Sequence, residues 1–150
     1  MLRFRTLLAR AGGLALLLAA LPSQALLEDQ NHFVLDKSGG ACVLRLDPQR
    51  DALNVSFTGP NTLVLESSYE FIGGSGIKLS FDDGTEVHLS GSSNSSRKII
   101  AAIPPEKMAG FSSNKRVKIG GESSRGPLYR RIRLQDFAAG YSELAGCAAK

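Results

Sequence analysis

Tryptophan is absent from this chain, and histidine and cysteine each occur only twice in 150 residues. His32 and His88 lie far apart in sequence, and with Cys42 and Cys147 spent on each other no zinc-ligand set can be assembled. The 105-residue separation of the cysteines excludes a CxxC redox motif. Serine is abundant, yet none sits in a G-x-S-x-G elbow; Gly73-Gly74-Ser75-Gly76 has the wrong spacing and reads as a loop. The same glycines lack the Lys-Ser/Thr pair and the strand–helix context of a phosphate cradle. Adjacent carboxylates occur only at Glu28-Asp29 and at Asp82-Asp83, and the second pair reads as a turn. The residues therefore imply no catalytic set, no metal ligands and no cofactor.

Long apolar runs are missing as well. The uncharged stretch Ala11 to Leu21 is eleven residues, well short of the roughly 20 that span a bilayer as a helix. It follows Arg3, Arg5 and Arg10, is broken by Pro22, and leads to Ser23-Gln24-Ala25, with small residues at the two positions a signal peptidase reads. Residues 1–25 thus read as a signal peptide cleaved after Ala25, and residues 26–150 as a single exported domain without a transmembrane segment. No cysteine follows the apolar stretch to carry a lipid, and no twin arginine precedes it, which favours the general secretion route to the periplasm or beyond. Loss of the three leader arginines lowers the net charge from +4 to +1.

In the exported part, period-two alternation dominates. Phe33 and Leu35, Leu44 and Leu46, and Leu53, Val55 and Phe57 each alternate with other residues; so do Ile77, Leu79 and Phe81, and Val87 and Leu89. This is the pattern of half-buried antiparallel strands. Asp82-Asp83-Gly84 between two such runs predicts a hairpin over Ile77 to Leu89. Gly91 to Ser96 reads as a mobile polar loop, Arg97 to Ile103 as a short strand and Pro104 to Met108 as a helical turn. Lys115 to Ile119 and Tyr129 to Gln135 read as strands separated by a Gly/Ser loop from Gly120 to Pro127. Asp136 then opens a helix with Phe137, Tyr141 and Leu144 on one face. Cys147 falls on that face, aimed at the sheet that carries Cys42. An even cysteine count in an exported chain implies a disulfide between them. The expected fold is α+β: a mainly antiparallel, sandwich- or barrel-like sheet, one short connecting helix, and a C-terminal helix disulfide-linked to an early strand.

Charge is unevenly spread. Leu26 to Ser96 carries four basic and ten acidic residues, whereas Arg97 to Lys150 carries eleven basic and four acidic. Alternation puts Arg116 and Lys118 on one face of their strand and Arg131 and Arg133 on one face of theirs. If the strands pair, four cations line one outer surface, which either solvates the sheet and balances the acidic half or forms a patch for an anionic partner such as a lipid headgroup, an acidic glycan or an acidic envelope protein. Nucleic acid is disfavoured by the compartment and by the want of an aromatic stacking platform. His88, at an outward hairpin position, and His32 read as solvated surface residues.

The ending Tyr129 to Cys147 contains Leu134-x-x-Phe137-x-x-x-Tyr141-x-x-Leu144-x-x-Cys147, a strand followed by a helix closing on a cysteine. This pattern, with the strand and proline-started turn of Ile99 to Met108, resembles the invasion-associated locus B family and related small proteobacterial periplasmic proteins. The resemblance implies a β-rich periplasmic domain without known enzymatic activity and without family site residues to carry over. The expected function is a non-catalytic binding or accessory role in the bacterial cell envelope. The alternatives are an enzyme or enzyme inhibitor built from scattered Ser, Asp and His residues, and an accessory subunit of a secretion apparatus.

Overall fold

Two antiparallel sheets close over one apolar core in the computed structural model, which describes residues 30–148. The signal-peptide reading of residues 1–25 and its cleavage point lie outside the described residues. Strands β1 (His32–Asp36), β2 (Val43–Asp47), β3 (Asn54–Thr58) and β4 (Thr62–Glu66) run as a meander, continued by β8 (Lys98–Ala102) and then β7 (Gly91–Ser95). The second sheet has the order β10 (Gly126–Arg133), β9 (Arg116–Ser123), β5 (Ile77–Phe81) and β6 (Glu86–Leu89). Alternation sets the inner faces: Leu44, Leu46, Val55 and Phe57 from the first sheet meet Ile77, Leu79, Val117, Ile119 and Ile132 from the second, all buried.

The β5–β6 hairpin pairs Ile77 with Leu89 and Leu79 with Val87. Its turn is held by Asp83, whose Oδ1 accepts the Thr85 N–H at 2.8 Å. That bond, with the Thr85 hydroxyl, holds the Asp83 carboxyl below its ordinary pKa. Asp83 also accepts from Asn114 Nδ2, while its own N–H donates to Asn114 Oδ1 at 3.1 Å. Its carboxylate is thus engaged in joining the hairpin to the following helix.

Four segments depart from the alternation reading. Gly91 to Ser96, expected to be a loop, forms edge strand β7, paired with β8 across a register shift between Ser92 and Ser95. Its small polar residues give no strand signal, but the free edge of β8 supplies the pairing, and a bulged polar edge resists further addition. The expected loop from Gly120 to Pro127 lies mostly inside a hairpin: Tyr129 pairs with Gly120 and Gly126 with Ser123, leaving only Ser124 and Arg125 between the strands. Ser123 Oγ closes this turn by donating to the Gly126 carbonyl at 2.7 Å and accepting the Arg125 N–H. Strand β4 escaped the pattern because Leu63, Val64 and Leu65 are buried in succession, with cover on both faces. The turn starting at Pro104 extends into a nine-residue helix, α1 (Pro105–Ser113), that presents Phe111 to the core.

The C-terminal helix α2 (Phe137–Ala148) lies on β1 and β2. Phe137 and Leu144 are buried, Tyr141 packs beside them, and Cys147 is bonded to Cys42, with Cα atoms 6.3 Å apart. Just ahead of the helix, Asp136 Oδ2 accepts the Phe33 N–H at 3.2 Å, tying its first turn to β1. No helix among the described residues is long and apolar enough to cross a membrane.

Candidate functional site

The outer face of the four-stranded sheet is built by cross-strand pairing. Arg131 stands directly opposite Lys118, and Arg133 directly opposite Arg116. Two-residue periodicity puts all four side chains on the face away from Ile132 and Val117, which are buried. On the other side of Lys118 the register continues to Ser80 of β5, and Gly120 leads to Lys78. Like charges directly opposite destabilise a sheet, so this arrangement carries a cost that a randomly solvated face would avoid. Three other cations are matched by carboxylates. Arg45 bonds Asp36 at 2.9 Å and Asp47 at 3.0 Å, Lys78 bonds Glu86 at 3.2 Å, and Lys98 bonds Glu66 at 3.1 Å. Among the described residues, neither Lys118 nor Arg131 meets a carboxylate at such a distance.

Lys118 has a different companion. Its Nζ sits 4.2 Å from the centroid of the Tyr129 ring, within cation–π range. The ring lies across Gly120: a Cβ there would collide with the Leu128 carbonyl and with the ring itself. Glycine at 120 is therefore what lets the tyrosine cover its neighbour strand and hold the ammonium in place. Strand counting puts no aromatic stacking platform beside the cations, and the structure adds this one ring. A half-exposed tyrosine is part of the patch.

The patch is flanked by two depressions. At one end Arg116 and Arg133 border a hollow of about 610 Å³ that also includes Asp82, Lys115 and Gln135. Arg133 Nη2 donates to Gln135 Oε1 at 3.3 Å. Here Asn31 extends the sheet edge, its Oδ1 accepting the Arg133 N–H at 2.8 Å and its Nδ2 donating to the Arg133 carbonyl at 3.0 Å. At the other end Lys118, Tyr129 and Arg131 border a pocket of about 420 Å³ shared with Arg50, Leu53 and Arg130.

Arg130 is the residue that sequence reasoning missed. It occupies an inward position of β10, only 8% exposed, and its Nη1 has no hydrogen-bond partner among the described residues. Burial pushes its pKa down to about 10; Arg50 nearby adds to this and Asp47 opposes it. The guanidinium therefore remains charged at neutral pH. The signal was available: a charged residue at an inward position of an alternating strand. Arg50 gave no such signal, because its approach depends on how a loop of one sheet meets the edge of the other.

His32 and His88 are both exposed, His88 on the outer face opposite Lys78. Among the described residues no three His, Cys, Asp or Glu side chains gather as a metal site would require.

No protein-family model matches the chain, and no curated protein matches it either. Among solved structures, the fold is similar to the crystal structure of invasion associated protein B from Bartonella henselae, with a TM-score of 0.54. The alignment covers 80% of this chain and 94% of that one at 12% identity. At that identity the likeness is one of fold.

Proposed function

We propose that this chain is an exported, non-catalytic binding or accessory protein of the bacterial cell envelope that holds an anionic partner against the outer face of its four-stranded sheet. The observation that carries the reading is the direct pairing of Arg131 with Lys118 and of Arg133 with Arg116. Four cations on a rigid sheet generate a positive field that recruits an anionic surface and weakens with salt. The disulfide suits an oxidising compartment, and the fold likeness to an invasion-associated protein is compatible with an accessory role at the cell surface.

The test replaces Arg116, Lys118, Arg131 and Arg133 together with serine. At about 1 kcal/mol for each cation near an anionic lipid surface, binding to vesicles rich in anionic lipid should fall by at least about a hundredfold. Wild-type binding should weaken steeply between low and physiological salt. Equal retention of the two proteins on such vesicles, and equal recovery of partners from an envelope extract, would overturn the reading. Export is checked by intact mass from a periplasmic extract. The expected species starts at Leu26 and has no alkylatable thiol before reduction; a full-length chain with two free thiols would remove the address.

A further inference from the structure

The pocket beside Arg130 combines features that a solvated surface does not need. Arg130 is more than nine-tenths buried and carries an orphaned Nη1, although an unpaired buried charge is among the most destabilising features a fold can hold. Asp47, whose charge reaches Arg130, is already bonded to Arg45 at 3.0 Å. Arg50 adds a second positive charge from the β2–β3 loop instead of a counter-charge. That loop is tied down: the Arg50 N–H donates to Asn54 Oδ1 at 2.8 Å, Ser67 Oγ donates to the Ala52 carbonyl at 2.6 Å, and the Ser68 N–H donates to the Asp51 carbonyl at 2.9 Å. Lys118, steadied on the Tyr129 ring, and Arg131 complete the rim. The Arg133 N–H faces the free edge of β10, where Asn31 accepts it, and the strand period places the Arg131 N–H on the same edge.

We infer that this pocket is a binding site for a phosphoryl group, in which Arg130 and Arg50 grip a dianionic phosphomonoester head and Lys118 and Arg131 close over it. Four positive charges around one pocket of about 420 Å³ exceed what a single carboxylate neutralises, and guanidinium forks match phosphate oxygens two at a time. The inference deepens the reading of the basic face: the patch draws in an anionic surface, and the pocket recognises one group upon it. Inorganic phosphate, a sugar phosphate and a lipid headgroup share this chemistry.

The experiment measures binding to the oxidised protein by calorimetry and thermal shift with three probes: inorganic phosphate, glucose 1-phosphate, and vesicles containing phosphatidic acid. At least one should bind saturably and raise the melting temperature, and the pattern among the three separates the sources. Arg130→Met should abolish this response while raising the melting temperature of the ligand-free protein by a few degrees, because an apolar side chain relieves the buried charge. Arg50→Gln, on the surface loop, should weaken binding at least about tenfold without altering the fold, and decides the matter if Arg130→Met does not fold. Absence of saturable binding for all three probes, or wild-type affinity in both variants, would overturn the site. Arg116→Ser/Arg133→Ser leaves the pocket intact. If that variant still adheres to vesicles like wild type while Arg130→Met loses the phosphoryl response, the broad face fails and the pocket stands.

Discussion

Oxidised protein should be more stable than the Cys42→Ser/Cys147→Ser variant by about 4–5 kcal/mol at 25 °C. The bridge spans 105 residues, and closing a loop of that length restricts the unfolded chain by about 4.7 kcal/mol in the chain-entropy treatment. Its placement adds to the effect in the native state, because it ties the last turn of α2 to the residue that enters β2. Urea titration of both proteins, monitored by tyrosine fluorescence and far-UV circular dichroism, gives the difference from the midpoints and slopes. A difference below about 1 kcal/mol would mean that α2 is held by packing alone and that the unfolded chain is already compact.

Phe137→Ala should cost about 3–5 kcal/mol, the range for removing a buried aromatic side chain. Phe137 is 3% exposed. Its ring centroid lies 5.3 Å from that of Phe33, 5.1 Å from Phe57, 4.9 Å from Phe111 and 5.5 Å from Tyr141. One ring therefore joins β1, β3, α1 and α2, with edge-on and offset pairings that contribute beyond area alone. Tyr141→Phe is the matched control: it removes only the hydroxyl that donates to Asn61 Oδ1 at 2.7 Å and should cost about 1 kcal/mol. Equal losses from the two substitutions, read from the same urea titrations, would place the aromatic cluster outside the cooperative core. The disulfide and Phe137 both fasten α2, so their effects should combine with a measurable coupling.

Much of this architecture was legible because half-buried strands announce themselves through alternation. The β5–β6 hairpin, the inner residues of β2 and β3, and the helix face bearing Phe137, Tyr141, Leu144 and Cys147 all follow from periodicity. What stayed hidden depends on partners. Thr62–Glu66 is covered on both faces and so does not alternate, while Gly91–Ser95 is a strand only because β8 offers it an edge. Gly120 looks like a loop residue until Leu128 and Tyr129 are seen lying where its Cβ would be. In the basic region, Arg116, Lys118, Arg131 and Arg133 could be assigned to faces by counting. Their mutual register and the Tyr129 ring on Lys118 arise from the pairing of β9 with β10, and the meeting of Arg50 with Arg130 from packing one sheet edge against a loop of the other. Extending the same count backwards by one step exposes Arg130 as a cation on the apolar side.

The bridge between Cys42 and Cys147 also makes residues 42–147 a covalent ring, with β1 attached to it as a tail. A protease that cuts one exposed turn of that ring, such as Asp82-Asp83-Gly84 or Ser124-Arg125, opens the circle without releasing a fragment. The nicked molecule keeps both halves linked, each still paired with the other through its strands. In a compartment populated by proteases, a single cut is thus absorbed as a change of connectivity and not as the loss of a domain.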